Sequence, residues 1–99
     1  DDGDELKFGN TTLKVIHTPG HTLGGVCLYS EKDKMLITGD TLFQGSIGRT
    51  DLAGGNFDTL IHSITTKLLT LPDDVMIFPG HGDSSTIGKE RVSNPFLKG

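Results

Sequence analysis

A chain of 99 residues can bury one hydrophobic core but not two. Its 9 basic and 13 acidic residues leave a net charge of −4, which argues against the basic surface that nucleic acids require. No apolar run approaches the roughly 20 residues of a membrane span. A lone cysteine, Cys27, cannot form an internal disulfide. With the acidic start DDGDELKFGN, which is unlike a secretory leader, it points to a reducing, cytoplasmic compartment.

The opening is turn-rich, and Asp1, Asp2, Asp4 and Glu5 read as a solvated end. Residues 13–16 (LKVI) make a predicted strand that ends at Pro19-Gly20. Residues 26–29 (VCLY) are a nearly continuous apolar run, the pattern of a strand buried on both faces. Residues 35–37 (MLI) make another strand, and the polar stretch 30–34 between them suggests a hairpin. Residues 42–55 carry Gly45, Gly48, Gly54 and Gly55 without any period, so they read as a long irregular loop of the kind that often serves function. Phe57, Leu60, Ile61, Ile64 and Leu68 then fall on one face of an amphipathic helix, as a core stripe. Asn56 is its N-cap and Pro72 its stop. Residues 75–78 (VMIF) form a further buried-type strand. Residues 84–86 cap a short helix over 87–92, which Asn94-Pro95 ends. This order implies an α/β or α+β layer structure. One helix face cannot cover both sides of strands this apolar.

Three of the predicted strands end alike. Each runs into a glycine turn, at Gly20, Gly39 and Gly80, and the next residue is His21, Asp40 or His81. Strand ends joined to loops are where open α/β sheets place their sites. If the three strands lie side by side, two imidazoles and a carboxylate come to one edge. That donor set suits zinc and also iron. Spacings of 19 and 41 residues exclude a zinc finger and fit a site preformed on a folded scaffold.

HTPGHT at 17–22, LITGDTLF at 36–43, GRTDL at 48–52 and FPGHG at 78–82 resemble metallo-β-lactamase-fold hydrolases, in their glyoxalase II-like (hydroxyacylglutathione hydrolase-like) branch. The similarity continues through TLPDD at 70–74, TIGKER at 86–91 and NPFL at 94–97. It implies an αββα sandwich, of which this chain would supply a mixed sheet with about two helices. It also implies a two-metal site, with zinc as the metal and iron or manganese as alternatives, and a small-molecule thioester substrate such as a glutathione conjugate. On this resemblance His21 is a ligand of the first metal, Asp40 bridges both and His81 is a ligand of the second. Arg49 stands where glyoxalase II enzymes place a basic residue that contacts the glutathione carboxylate. In the complete enzyme the two metals acidify a bridging water for attack on the thioester carbonyl.

The family's other ligands sit in a His-x-His-x-Asp-His motif upstream of the PGHT segment. The histidines here are His17, His21, His62 and His81, and no two make His-x-His. The resemblance therefore implies that residues 1–99 are a single unit equivalent to the C-terminal half of the domain, inactive without the N-terminal half. Two other readings stand beside it. The chain is a non-catalytic fold fragment or self-associating module, with an apolar sheet face left open. Or it is part of an iron persulfide dioxygenase of the same fold, keeping His21 and Asp40; the FPGHG segment favours the hydrolase. Of the remaining candidates, His17 reads as a packing or supporting group, His62 as a surface histidine and Cys27 as a buried thiol. Thr50 and Asp51 read as residues that hold their loop by local hydrogen bonds.

Overall fold

The structure is a computed structural model that describes residues 4–21, 25–51 and 54–97. Asp1, Asp2, Thr22 and Leu52, which entered the motifs and the acidic start above, lie outside the described residues.

Strands β1 (Glu5–Phe8), β2 (Thr11–His17), β3 (Val26–Ser30) and β4 (Met35–Gly39) form an antiparallel meander. Next comes a small separate hairpin, β5 (Leu42–Phe43) and β6 (Ser46–Ile47). Helix α1 (Phe57–Ser63) continues into a wider turn over Ile64–Leu68, in which the Leu69 N–H donates to the Ile64 carbonyl at 2.9 Å. The chain then returns through β7 (Met76–Pro79), parallel to β4, and β8 (Ser85–Thr86), and ends in α2 (Ile87–Ser93). The six-stranded mixed sheet has the order β1-β2-β3-β4-β7-β8. The expected α+β class, a mixed sheet with two helices, is what folds.

Both helices start as the sequence says. Asn56 Oδ1 accepts the Thr59 N–H at 2.9 Å, and Thr86 Oγ1 accepts the Lys89 N–H at 3.1 Å. The 26–37 hairpin forms in the register Leu28↔Ile37 and Tyr29↔Leu36. Several readings are corrected. The turn-rich opening holds β1, paired on β2. The irregular loop over 42–55 contains the β5–β6 hairpin. Phe57 is 49% exposed and stands outside the core stripe. The single helix expected through Leu68 widens where Thr66 turns its hydroxyl onto the His62 carbonyl at 2.6 Å, a side-chain bond that competes with the backbone ladder.

The core is one-sided. Leu60, Ile64 and Leu68 from the first helical segment and Ile87 from α2 join Cys27, Tyr29, Leu36 and Ile77, all buried in one cluster. These sheet residues share one face by register, since Tyr29 pairs with Leu36 and Leu36 with Ile77. The opposite face shows Val26, Met35, Ile37 and Met76, each about 40% exposed. The run at 26–29 is thus buried on one face and not on both, because both helices pack on the same side. No helix among the described residues is long and apolar enough to cross a membrane.

Cys27 is fully buried, with its sulfur 3.5 Å from Thr18 Oγ1, and burial pushes its thiol pKa up. A thiol reagent at pH 8 is therefore expected to label Cys27 only as the chain unfolds, and at once in denaturant. Rapid labelling in native buffer would contradict this packing.

Candidate metal centre

Strand direction places the site. β3 is antiparallel to β2 and to β4, and β7 is parallel to β4. So β2, β4 and β7 all point the same way, and the segments carrying His21, Asp40 and His81 leave from one edge of the sheet. The three strands are not contiguous, as β3 lies between β2 and β4. The shared edge comes from common direction, not from adjacency.

Each segment is tied down by hydrogen bonds to its backbone. The turn before His21 is held from α1: Ser63 Oγ donates to the Pro19 carbonyl at 2.9 Å, and the Asn56 N–H donates to the Gly20 carbonyl at 2.7 Å. Lys67 Nζ donates to the His17 carbonyl at 2.9 Å. The Gly80 N–H donates to the Gly39 carbonyl at 2.8 Å, which sets His81 beside Asp40. His81 Nδ1 stands 3.7 Å from Asp40 Oδ1, and both side chains are more than half exposed. Gly48 fills the angle between the other two groups. A Cβ there would lie 2.0 Å from the Asp40 carbonyl oxygen and 3.2 Å from His21 Cβ. The requirement at Gly48 is close approach, not unusual backbone geometry.

His21 Nδ1 lies 2.7 Å from the Arg49 carbonyl oxygen. A carbonyl only accepts, so Nδ1 carries the proton and Nε2 keeps its lone pair in the neutral ring. His21, Asp40, His81 and Arg49 all line one cleft of about 690 Å³. The Phe43 ring lies against His81, with centroids 4.8 Å apart. Among the described residues no group of three His, Cys, Asp or Glu side chains gathers closely enough to hold one ion. The three candidates share an edge and a cleft without closing a shell of their own.

Arg49 donates from Nε to Asp51 Oδ1 at 2.8 Å and from Nη2 to Oδ2 at 3.0 Å. This paired bond holds the Asp51 carboxyl below the ordinary range and raises the Arg49 guanidinium. Asp51 thus holds its loop through a local bond. His62 is exposed. Sequence reasoning missed Thr18, Thr38 and Thr41, which are buried directly behind the site. Thr18 and Thr41 hydroxyls meet at 3.2 Å, and Thr38 Oγ1 donates to the Leu42 carbonyl at 2.7 Å. The available signal was positional: each threonine stands within three residues of His21 or Asp40.

Residues 1–81 match the metallo-beta-lactamase superfamily. The chain belongs to that superfamily. The hydroxyacylglutathione hydrolase GloC of Haemophilus influenzae is 50% identical over 96 residues, covering 97% of this chain and 45% of its own length. The crystal structure of the BLEG-1 B3 metallo-beta-lactamase superposes with a TM-score of 0.92 at 49% identity, over 96% of this chain and 46% of that one. A di-iron-bound form of TTHA1623 superposes with a TM-score of 0.89 at 41% identity, over 98% and 46%. The chain spans about half the length of the curated relatives it matches. A metallo-beta-lactamase superfamily chain of the glyoxalase II-like type, on a fold that implies metal binding, thus carries the cleft described above.

The Gly48 contact gives a test within this site. Gly48→Ala is expected to force the Asp40 backbone and His21 apart and to cost about 1–3 kcal/mol of stability. Chemical denaturation would measure the loss. An alanine variant as stable as the parent would contradict the packing.

Proposed function

We propose that this chain supplies half of the dinuclear metal site of a thioester hydrolase of hydroxyacylglutathione type. His21 and His81 would hold different metals, and Asp40 would be shared between them. The observation that carries this reading is the common cleft of His21, Asp40 and His81 at one sheet edge, with His21 already turned by the Arg49 carbonyl. The donor set fits zinc or iron, since both accept imidazole and carboxylate. The absence of a three-ligand cluster among the described residues suits ligands divided between two metals. When bound, a metal pair supplies a water acidic enough to act as a nucleophile near neutral pH, and a Lewis acid for a carbonyl oxygen. Zinc is the metal proposed; the di-iron form of TTHA1623 supports a two-metal site and keeps iron as the alternative, with manganese a third.

This chain's own residues orient and bind. The Arg49 carbonyl fixes the His21 tautomer, leaving Nε2 as the donor atom. Asp40 offers two carboxylate oxygens, and His81 stands beside it. The Arg49 side chain would receive the substrate's carboxylate, which must compete with Asp51 for the guanidinium. A cleft of about 690 Å³ suits a small molecule such as a glutathione conjugate. Residues 1–99 would act as one unit, in a cytoplasmic protein. The other half of the relatives' length would cover Val26, Met35, Ile37 and Met76 and bring the remaining ligands in a His-x-His-x-Asp-His motif. The same open face favours a second reading, self-association of this chain, which a monomer in concentrated sedimentation runs would exclude.

The test joins this chain to a separately made half carrying that motif, adds zinc and follows thioester hydrolysis. The complex is expected to hold two zinc ions and to turn over, while either half alone is inactive. His21→Ala and His81→Ala are each expected to lose metal and at least about 10–100-fold in rate. A folded, metal-loaded complex without hydrolysis would contradict the reading, and one iron with no zinc would favour the dioxygenase.

A further inference from the structure

The β5–β6 hairpin lines the cleft, yet little in it is self-supporting. Its strands have two residues each, paired Leu42↔Ile47 and Phe43↔Ser46 around a Gln44-Gly45 turn. Two-residue hairpins favour turns whose first central residue is left-handed, because those match the twist of the strands. Here Gly45 has a φ of 72°, while Gln44 is not left-handed. Such a turn splays its strands, and a hairpin this short is not stable alone. Leu42 and Ile47 anchor its base in the core. Its tip is held by something else.

That something is α2. Glu90 is fully buried. Its Oε1 accepts the Gly45 N–H at 2.8 Å and Asn94 Nδ2–H at 2.9 Å, and its Oε2 accepts the Ser85 hydroxyl at 2.6 Å. Asn94, also buried, donates from Nδ2 to the Ser46 carbonyl at 3.0 Å. Two backbone groups at the turn end of the hairpin, the Gly45 N–H and the Ser46 carbonyl, therefore end on α2 and on its C-cap residue. Burying a carboxylate is costly unless its bonds are made. Packing alone would be served as well by leucine. What the carboxylate adds is an acceptor for a backbone N–H that the turn leaves outside its own ladder.

We propose that Glu90 and Asn94 are positioning residues of the site. Through the hairpin tip they hold the Phe43 ring against His81 and so set the orientation of that imidazole in the cleft. The His81 side chain is 79% exposed, with the Phe43 ring against it and the Asp40 carboxylate 3.7 Å from its Nδ1. Releasing the tip loosens the ring contact. The functional weight of this clamp rests on the proposed role of His81.

The test uses this chain with isotope-labelled histidine and no metal or substrate. Two quantities are followed: the His81 ring resonances, which report the neighbouring Phe43 ring, and hydrogen exchange at the Gly45 amide. Phe43→Leu gives the reference for a lost ring contact. Glu90→Leu fills the space but breaks all three bonds. Asn94→Asp keeps the shape but sets an acceptor against the Ser46 carbonyl. Both are expected to move the His81 resonances towards the Phe43→Leu position and to speed Gly45 exchange about tenfold or more. Glu90→Gln is expected to leave both unchanged, because its amide oxygen still accepts from Gly45 and Asn94 while its NH₂ donates to Ser85. A variant that unfolds more easily but leaves His81 and Gly45 unchanged would overturn the proposal, since that is how a residue that only packs α2 behaves. If Glu90→Leu does not fold, Asn94→Ala decides: a shifted His81 supports the clamp and an unshifted one overturns it. Neither readout needs turnover. An inactive complex with these shifts intact would count against the hydrolase reading alone.

Discussion

The hydrogen bond from the Gly80 N–H to the Gly39 carbonyl decides how far β4 and β7 run together before they part. One residue beyond it on each strand stand His81 and Asp40, at 3.7 Å. Slipping that register by one residue would turn one strand's side chains to the other face of the sheet and part His81 from Asp40. The parallel pairing of β4 with β7 also demands a crossover, and α1 provides it. That helix in turn holds the Pro19-Gly20 turn and therefore His21. The site is thus the place where strand register and helix packing meet, and the buried threonines behind it tie the strand ends together.

The same connection explains the lopsided core. The β4–α1–β7 crossover and the β8–α2 return both put their helices on one face, so Leu36 and Ile77 are buried while Ile37 and Met76 are not. An apolar sheet face of this kind calls for a partner, and the relatives are about twice as long as this chain. The open cleft and the open face belong to one situation. On the proposal above, the residues that would complete the metal shells and those that would cover the sheet come from the same remaining half of the relatives' length.

Much of this was legible in the sequence. Apolar runs bounded by Pro and Gly gave β2, β3, β4 and β7, and Asn56 and Thr86 announced their helices because a side-chain oxygen must take an orphan N–H. The candidate residues could be named because each follows a strand end. What failed failed for physical reasons. β5 and β6 are too short to show a period, and Gln44-Gly45 is not one of the strong hairpin dipeptides. The widened turn at Ile64–Leu68 keeps the four-residue spacing of its buried residues, so no pattern separates it from an α-helix. Glu90 reads as surface from its type alone, because its burial depends on a turn 45 residues away. Arg49 was legible as a cation, but its pairing with Asp51 two residues on was visible only as a local possibility.

On the proposed function this edge would hold two metals, with His21 and His81 on different ones and Asp40 shared. Anomalous diffraction at the zinc edge, from crystals of this chain joined to its complementary half, measures that directly. Two peaks flanking Asp40 are expected, one beside His21 and the other beside His81. A single peak on His21 and Asp40, with His81 unbound, would contradict it.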